Sequence, residues 1–342
     1  MLPNIFVNRS FKIATLFLIS SAGSMSWGSD EARLPGRAQD VTDVIQRSGI
    51  LTPKGKWSFD ASMSYTQNSA KKVSVVGYTV LPTLLIGLIE VSDADRTTLT
   101  LGLTTRYGLT DATEIELRLP YVYRDDSASA RLLGDGDDGQ NGALGEFVDT
   151  SVDGGGLGDI ELAVRHQFNF NSTPYWIGGL RVKSNTGKSP YDVSIGDNGA
   201  FTEAPTGSGF WSVEPSLSMI YPTAPAVLFA NVGYIYNFED DVTVSGEKVK
   251  VGLGDTISVG AGIGFAINPE LSFNLGWSHK TILKSELNGS TTENAKALQL
   301  DYFNFGFNYA YSPRSSINIS AQAGLTEDAP DFQLTLRVPF NF

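Results

Sequence analysis

The chain offers little for covalent chemistry. Its 342 residues include two histidines, His166 and His279, and no cysteine. General-base or nucleophilic catalysis needs a base held beside a nucleophile. Neither histidine neighbours a Gly-x-Ser-x-Gly run, and no His-Glu-x-x-His occurs. What the sequence does carry is charge at alternate positions of otherwise apolar runs: Asp60, Arg106, Glu114, Glu116, Arg118 and Arg124, then Asp159, Glu161, Arg165, Arg181, Lys183, Glu214, Lys280 and Arg337. An interval of two puts such residues on one face of a strand. Both histidines fall on the opposite face, with the apolar side chains. Facing rows of opposite charge do one of two things. They set a transverse field that orients polar solutes, or they only satisfy one another along a wall, because an isolated charge in a confined space is costly. Neither asks for a cofactor. The closely spaced Asp135, Asp137 and Asp138 attract hard cations but lack the ligand spacing and closing Glu of an EF-hand, so they read as a solvated loop and no metal is expected.

The elements that must hold these charges are strands. Trp57, Phe59, Ala61, Met63 and Tyr65 alternate with Lys56, Ser58, Asp60, Ser62 and Ser64. The pattern repeats near 98–107, 114–124 and 159–170, with further strands starting near Tyr175, Phe210, Ala226, Asp255, Leu271, Ala297 and Ser316, and a last one at Leu334 to Phe342. Connections alternate in length. Short turns rich in Pro, Asn, Asp and Ser fall at 108–113, 171–174, 222–225, 268–270 and 312–315, and long polar stretches at 125–156, 186–208, 239–254 and 283–296. Short turns on one side and long loops on the other are the pattern of an up-and-down antiparallel barrel in an outer membrane, here of about twelve strands with both termini periplasmic. Closure satisfies every backbone group in lipid. Asp60, Arg106, Glu116, Arg118, Arg124, Glu161, Arg165, Arg181, Glu214, Lys280 and Arg337 are then expected to line the interior. Such a barrel lies between the filled eight-stranded and the open sixteen-stranded kind, so a narrow conduit is expected.

The chain ends fit export to that membrane. Arg9 and Lys12 precede the apolar run Ile13 to Ile19 and then small residues, an export signal over residues 1–28. No run reaches the roughly 18 to 20 apolar residues that a spanning helix needs. Residues 29–55 form an N-terminal periplasmic segment, within which Val41, Val44 and Ile45 stand at helical spacing, and residues 56–342 form the barrel. The short helix either plugs the lumen or belongs to a solvated tail. The apolar stretch 73–91 extends the first outer connection as a hairpin or folds over the mouth. Val338, Phe340 and the terminal Phe342 make an aromatic strand end resembling the signal read by the barrel-assembly machinery. A net charge of −12 argues against nucleic acid. A mean hydropathy of −0.07 fits hydrophobicity held in alternating pieces. The expected surroundings are outer-membrane lipid and lipopolysaccharide.

The runs SGILTPKGKWSFDASMSYTQNS, VVGYTVLPTLLIGLIEV, RYGLTDATEIELRLPYVYR, GLGDIELAVRHQF, PTGSGFWSVEPSLSMIYPTAPAVLFANVGYIYNF and APDFQLTLRVPFNF resemble the outer-membrane transporter-like family labelled "MetA-pathway of phenol degradation". The resemblance covers essentially the mature chain. It implies a barrel for passage of small, often aromatic, molecules, and no substrate-site motif. A homotrimer is implied by likeness alone. A more distant likeness is to the outer-membrane channel that exports functional-amyloid subunits, whose periplasmic extension is missing here. The alternatives to small-molecule passage are therefore such an export channel and a structural or adhesive barrel.

Overall fold

The computed structural model describes residues 51–70, 89–132, 147–194, 202–244, 247–291, 296–312 and 315–341. The export signal, the helix with Val41, Val44 and Ile45, most of the apolar stretch 73–91, the acidic loop around Asp135 and the terminal Phe342 lie outside the described residues.

In chain order the strands are β1 (Trp57–Ala70), β2 (Ile89–Thr110), β3 (Thr113–Leu132), β4 (Phe147–Leu157), β5 (Glu161–Gln167), β6 (Tyr175–Lys183), β7 (Ser212–Thr223), β8 (Ala226–Asn237), β9 (Asp240–Val244), β10 (Glu247–Gly252), β11 (Thr256–Ala266), β12 (Leu271–Ile282), β13 (Glu286–Leu287), β14 (Ser290–Thr291), β15 (Leu298–Ser312), β16 (Ser315–Gly324) and β17 (Phe332–Asn341). One sheet of thirteen strands runs β2-β1-β17-β16-β15-β12-β11-β8-β7-β6-β5-β3-β4, and a further pairing of β2 with β3 closes it into a ring. β4 and β5 share one place in that ring. β4 lies along the outer half of β3, Tyr121 opposite Leu157, and β5 along its inner half, Arg118 opposite Glu161. The wall therefore has twelve antiparallel positions. β1 meets β17 with Phe59 opposite Phe340, so first and last strands seal the barrel at the end where the short turns lie.

The alternation in sequence becomes an inside and an outside. Leu101, Leu162 and Leu180 stand 47%, 50% and 50% exposed on the outer face. Their neighbours in sequence point into the ring. Aromatic side chains flank the apolar band, with Trp57 packed on Tyr107 at the short-turn end and Tyr123, Tyr234 and Tyr236 toward the long loops. A closed sheet with an apolar exterior is the form a strand protein must take in lipid, since no edge is left unpaired.

Four boundaries differ from the sequence reading. β3 runs on to Leu132 and β4 covers 147–157, so most of the expected loop 125–156 is a hairpin whose arms extend the wall. β2 begins at Ile89 and not near 98. The expected strand 159–170 is broken: residues 158–160 carry no strand pairing, and Phe168, Asn169 and Phe170 belong to the turn before β6. Its side chain closes that turn, Asn169 Nδ2 donating to the carbonyls of Ser172 and Pro174 at 2.8 Å each and Oδ1 accepting from Trp176 N at 2.8 Å. Finally, the connections 239–254 and 283–296 hold β9, β10, β13 and β14, which pair as a separate four-stranded sheet. Alternating Val242, Val244, Val249 and Val251 drive that pairing, and Val251 is 1% exposed.

Candidate functional site

The interior face carries a ladder of ion pairs on β1 to β7. Asp60 pairs with Arg106, whose Nε also reaches Glu116 Oε2 at 2.6 Å. Arg165 Nη2 reaches Glu116 at 2.5 Å and Glu114 at 2.8 Å. A second run follows: Arg118 Nη1 to Glu161 at 3.2 Å, Arg181 Nε to Glu161 at 3.6 Å and Arg181 Nη1 to Glu214 at 3.0 Å. Register explains the adjacency, because Arg106 lies opposite Glu116, Glu114 opposite Arg165, Arg118 opposite Glu161 and Arg181 opposite Glu214. Asp60 and Glu114 are each 2% exposed and held by arginine, which is what a carboxylate removed from bulk water requires. Arg96 grips Asp126 with two bonds of 2.8 Å toward the outer end. Arg124 is buried on the same face.

The facing wall is lined mostly by uncharged polar side chains. Asn231, Ser258, Asn274, Ser278, Asn304, Asn308 and Gln322 share the interior register of β8, β11, β12, β15 and β16. Gln322 Nε2 donates to Asn304 Oδ1 at 2.7 Å, and Asn304 Nδ2 to Ser278 Oγ at 3.0 Å. Glycines let these side chains lie along the wall. An added Cβ at Gly260 would collide with the Asn231 amide oxygen. On this half Lys280 and Arg337 face inward, and neither has an ion pair among the described residues. The charged half is thus nearly self-neutralised, while the amide-lined half holds two cations among the described residues.

Between β4 and β6 the wall is completed by residues 184–188 and 204–210 of the following connection. Asp159, 8% exposed, accepts from Gly187 N at 3.0 Å, Ser208 N at 2.9 Å, Ser208 Oγ at 2.8 Å and Lys183 Nζ at 2.8 Å. Lys183 also donates to Ser208 Oγ and to the Phe210 carbonyl. Ala204 N donates to the Asp153 carbonyl at 3.2 Å and Thr206 Oγ1 to the Leu157 carbonyl at 2.8 Å, so residues 204–206 run along the edge of β4 where no strand lies. Sequence reading placed Asp159 and Lys183 on the interior face but missed Ser208 and this latch. The glycines at 154–156 and 158, directly before Asp159, are the signal that could have shown the break.

Both histidines face outward. His166 Nδ1 lies 2.9 Å from Thr113 Oγ1, and His279 Nδ1 2.9 Å from Asp301 Oδ1. Val338 shares the outward row of β17 with Phe340, which is 39% exposed. A groove of about 580 Å³ lined by Phe168, Asn169, Ser172, Thr173, Pro174, Trp176 and Leu217 opens on the outer face, and no ionisable group lines it.

An outer membrane channel from Pseudomonas putida F1 has the same fold, with a TM-score of 0.59 and 18% identity over 85% of this chain and 96% of that one. The P. putida toluene transporter TodX (TM-score 0.38, 11% identity, 85% and 89% covered) and a Pseudomonas aeruginosa FadL homologue (0.41, 8%, 84% and 90%) superpose too loosely to carry an argument. A twelve-position barrel with this exterior is that of a Gram-negative outer-membrane protein. The family model described as a putative MetA-pathway of phenol degradation matches residues 88–342, and the chain belongs to that family.

Proposed function

We propose that this protein is an outer-membrane channel through which small molecules, aromatic compounds with a polar substituent foremost, pass down their gradients without catalysis. The observation that carries the reading is the division of the barrel interior into a wall of paired charges on β1 to β7 and an amide-lined wall on β8 to β16 that carries few charges. A solute with an apolar ring and a polar end meets hydrogen-bonding groups on one side and a fixed field on the other, the arrangement by which narrow pores orient what they pass. The family description supports a phenol-like substrate. Outer-membrane lipid and lipopolysaccharide surround the barrel, and the barrel-assembly machinery recognises its last strand.

Planar bilayers test this. Purified, refolded protein is expected to give discrete conductance steps, and replacing Arg118 and Arg165 with alanine is expected to change ion selectivity without loss of the folded barrel. Selectivity unchanged in the double variant removes the pore-lining role of the ladder. A folded protein that gives neither steps nor solute flux in liposomes, with or without residues 38–50, overturns the channel.

A further inference from the structure

One station on the amide-lined wall gathers hydrogen-bond donors that nothing in the wall receives. Lys280 lies on the inward face of β12, opposite Ser258 of β11 and Leu300 of β15, and is exposed to the barrel interior. Ser278 precedes it on the same face, and Tyr302 stands opposite Ser278 and diagonal to Lys280. Diagonal neighbours on one face of an antiparallel pair are within reach of long and aromatic side chains. The amide ladder runs toward this point. Gln322 Nε2 donates to Asn304 Oδ1 at 2.7 Å and Asn304 Nδ2 to Ser278 Oγ at 3.0 Å, so the Ser278 hydroxyl proton is left to be donated onward. Among the described residues neither that proton, the Tyr302 hydroxyl nor the Lys280 ammonium has an acceptor. Glu214 carries the carboxylate whose charge reaches Lys280, and Arg181 already holds it at 3.0 Å.

We propose that Lys280, Ser278 and Tyr302 bind the carboxylate of a small aromatic acid of the benzoate type, so that the lumen prefers aromatic anions to neutral phenols. A carboxylate only accepts hydrogen bonds, and its two oxygens have lone pairs enough for all three donors. Bonds of this kind, with both partners ionised at Lys280, are the stronger sort. A singly charged group suits a single ammonium. A phosphate dianion would call for a second cation, and Arg337 stands on β17 with β15 and β16 between. Nor does the opposite wall compete for the anion, since Arg106, Arg118, Arg165 and Arg181 each hold a carboxylate already. The partly exposed ring of Tyr302 offers a face on which the ligand's ring stacks with an offset. Passage of the anion rests on the channel reading; its binding to the folded barrel does not.

Calorimetric titration of the refolded full chain in detergent tests the site. Sodium benzoate is expected to bind about tenfold or more tightly than phenol, the margin that a hydrogen bond to a charged group supplies. Lys280→Met is expected to erase that margin and leave phenol as it was, and Lys280→Arg to keep it. Lys248→Met takes the same charge from the separate four-stranded sheet and is expected to leave benzoate unchanged. Benzoate binding no tighter than phenol, or equal losses from Lys248→Met and Lys280→Met, overturns the site. Should Lys280→Met fail to fold, Ser278→Ala and Tyr302→Phe decide: each is expected to weaken benzoate about threefold and spare phenol, and no loss in either overturns the site. Benzoate bound without flux into liposomes removes the channel and leaves the site. Flux of phenol with no preference for benzoate removes the site and leaves the channel.

Discussion

At the scale of single residues, Asp159 is the side chain on which most converges. It neutralises Lys183 and accepts from two backbone amides and a hydroxyl of the connection 184–211 while almost wholly removed from solvent. Removing one partner of a buried pair leaves the other uncompensated, so Asp159→Asn is expected to cost about 3 kcal/mol. The loss should appear as a lowered heat-modification temperature on gels and as faster proteolysis within 184–211. Tyr191, on that connection, packs edge-on against Phe210 at 5.8 Å and leaves its hydroxyl buried without a partner. Burial pushes its pKa up to about 12 from 10.0. Because the folded value is the higher one, the contribution is complete below pH 10 and is lost as pH rises toward 12. Tyr191→Phe is therefore expected to raise stability at neutral pH by about 1 kcal/mol. It should also blunt alkaline loosening of the connection, followed by hydrogen exchange. A destabilised variant would mean the hydroxyl has a partner after all.

The strand is the scale at which inside and outside are decided. On β17, Leu334 lies opposite Tyr65 and Ala321 on the outer face, and Thr335 opposite Ser64 on the inner, where the two hydroxyls meet at 2.8 Å. A charge facing lipid near mid-membrane costs about 2 kcal/mol, whereas a lumenal one stays hydrated. Leu334→Asp should thus lower the barrel's urea midpoint and Thr335→Asp should leave it nearly unchanged. Similar losses at both positions would place the register wrongly. The alternation that fixes this is visible in the sequence wherever a strand pairs along its whole length, as in β1. It fails at 159–170, since a run of apolar and polar residues looks the same whether its backbone bonds go to a neighbouring strand or to a folded connection. The long loops hid four strands for a related reason: their charged, glycine-rich composition resembles solvated coil, while the valines of β9 and β10 find each other only as a pair.

Across the whole barrel, charge is arranged by closure. Lys280 belongs to the amide-lined half and has no ion pair among the described residues, and Arg337 shares that state. The lumen is expected to favour anions in a salt gradient, and Lys280→Glu to move the reversal potential toward cations. An unmoved potential in a variant that still folds and conducts would take Lys280 out of the permeation path. The alternation of apolar and polar residues, the turn chemistry and the apolar band were enough to give the antiparallel sheet and its twelve positions, because the period of a strand is a local property. Which charges touch was not legible. Arg106 reaches both Asp60 and Glu116 only because β2 lies between β1 and β3 in one register, and Arg165 meets Glu114 only across a pairing that skips β4. Nor could the sequence show that Thr52 and Pro53 cross Gly108 on the lumenal side or that Asp159 latches a connection nearly fifty residues on. Those are contacts between segments remote in the chain, and only the closed ring brings them together.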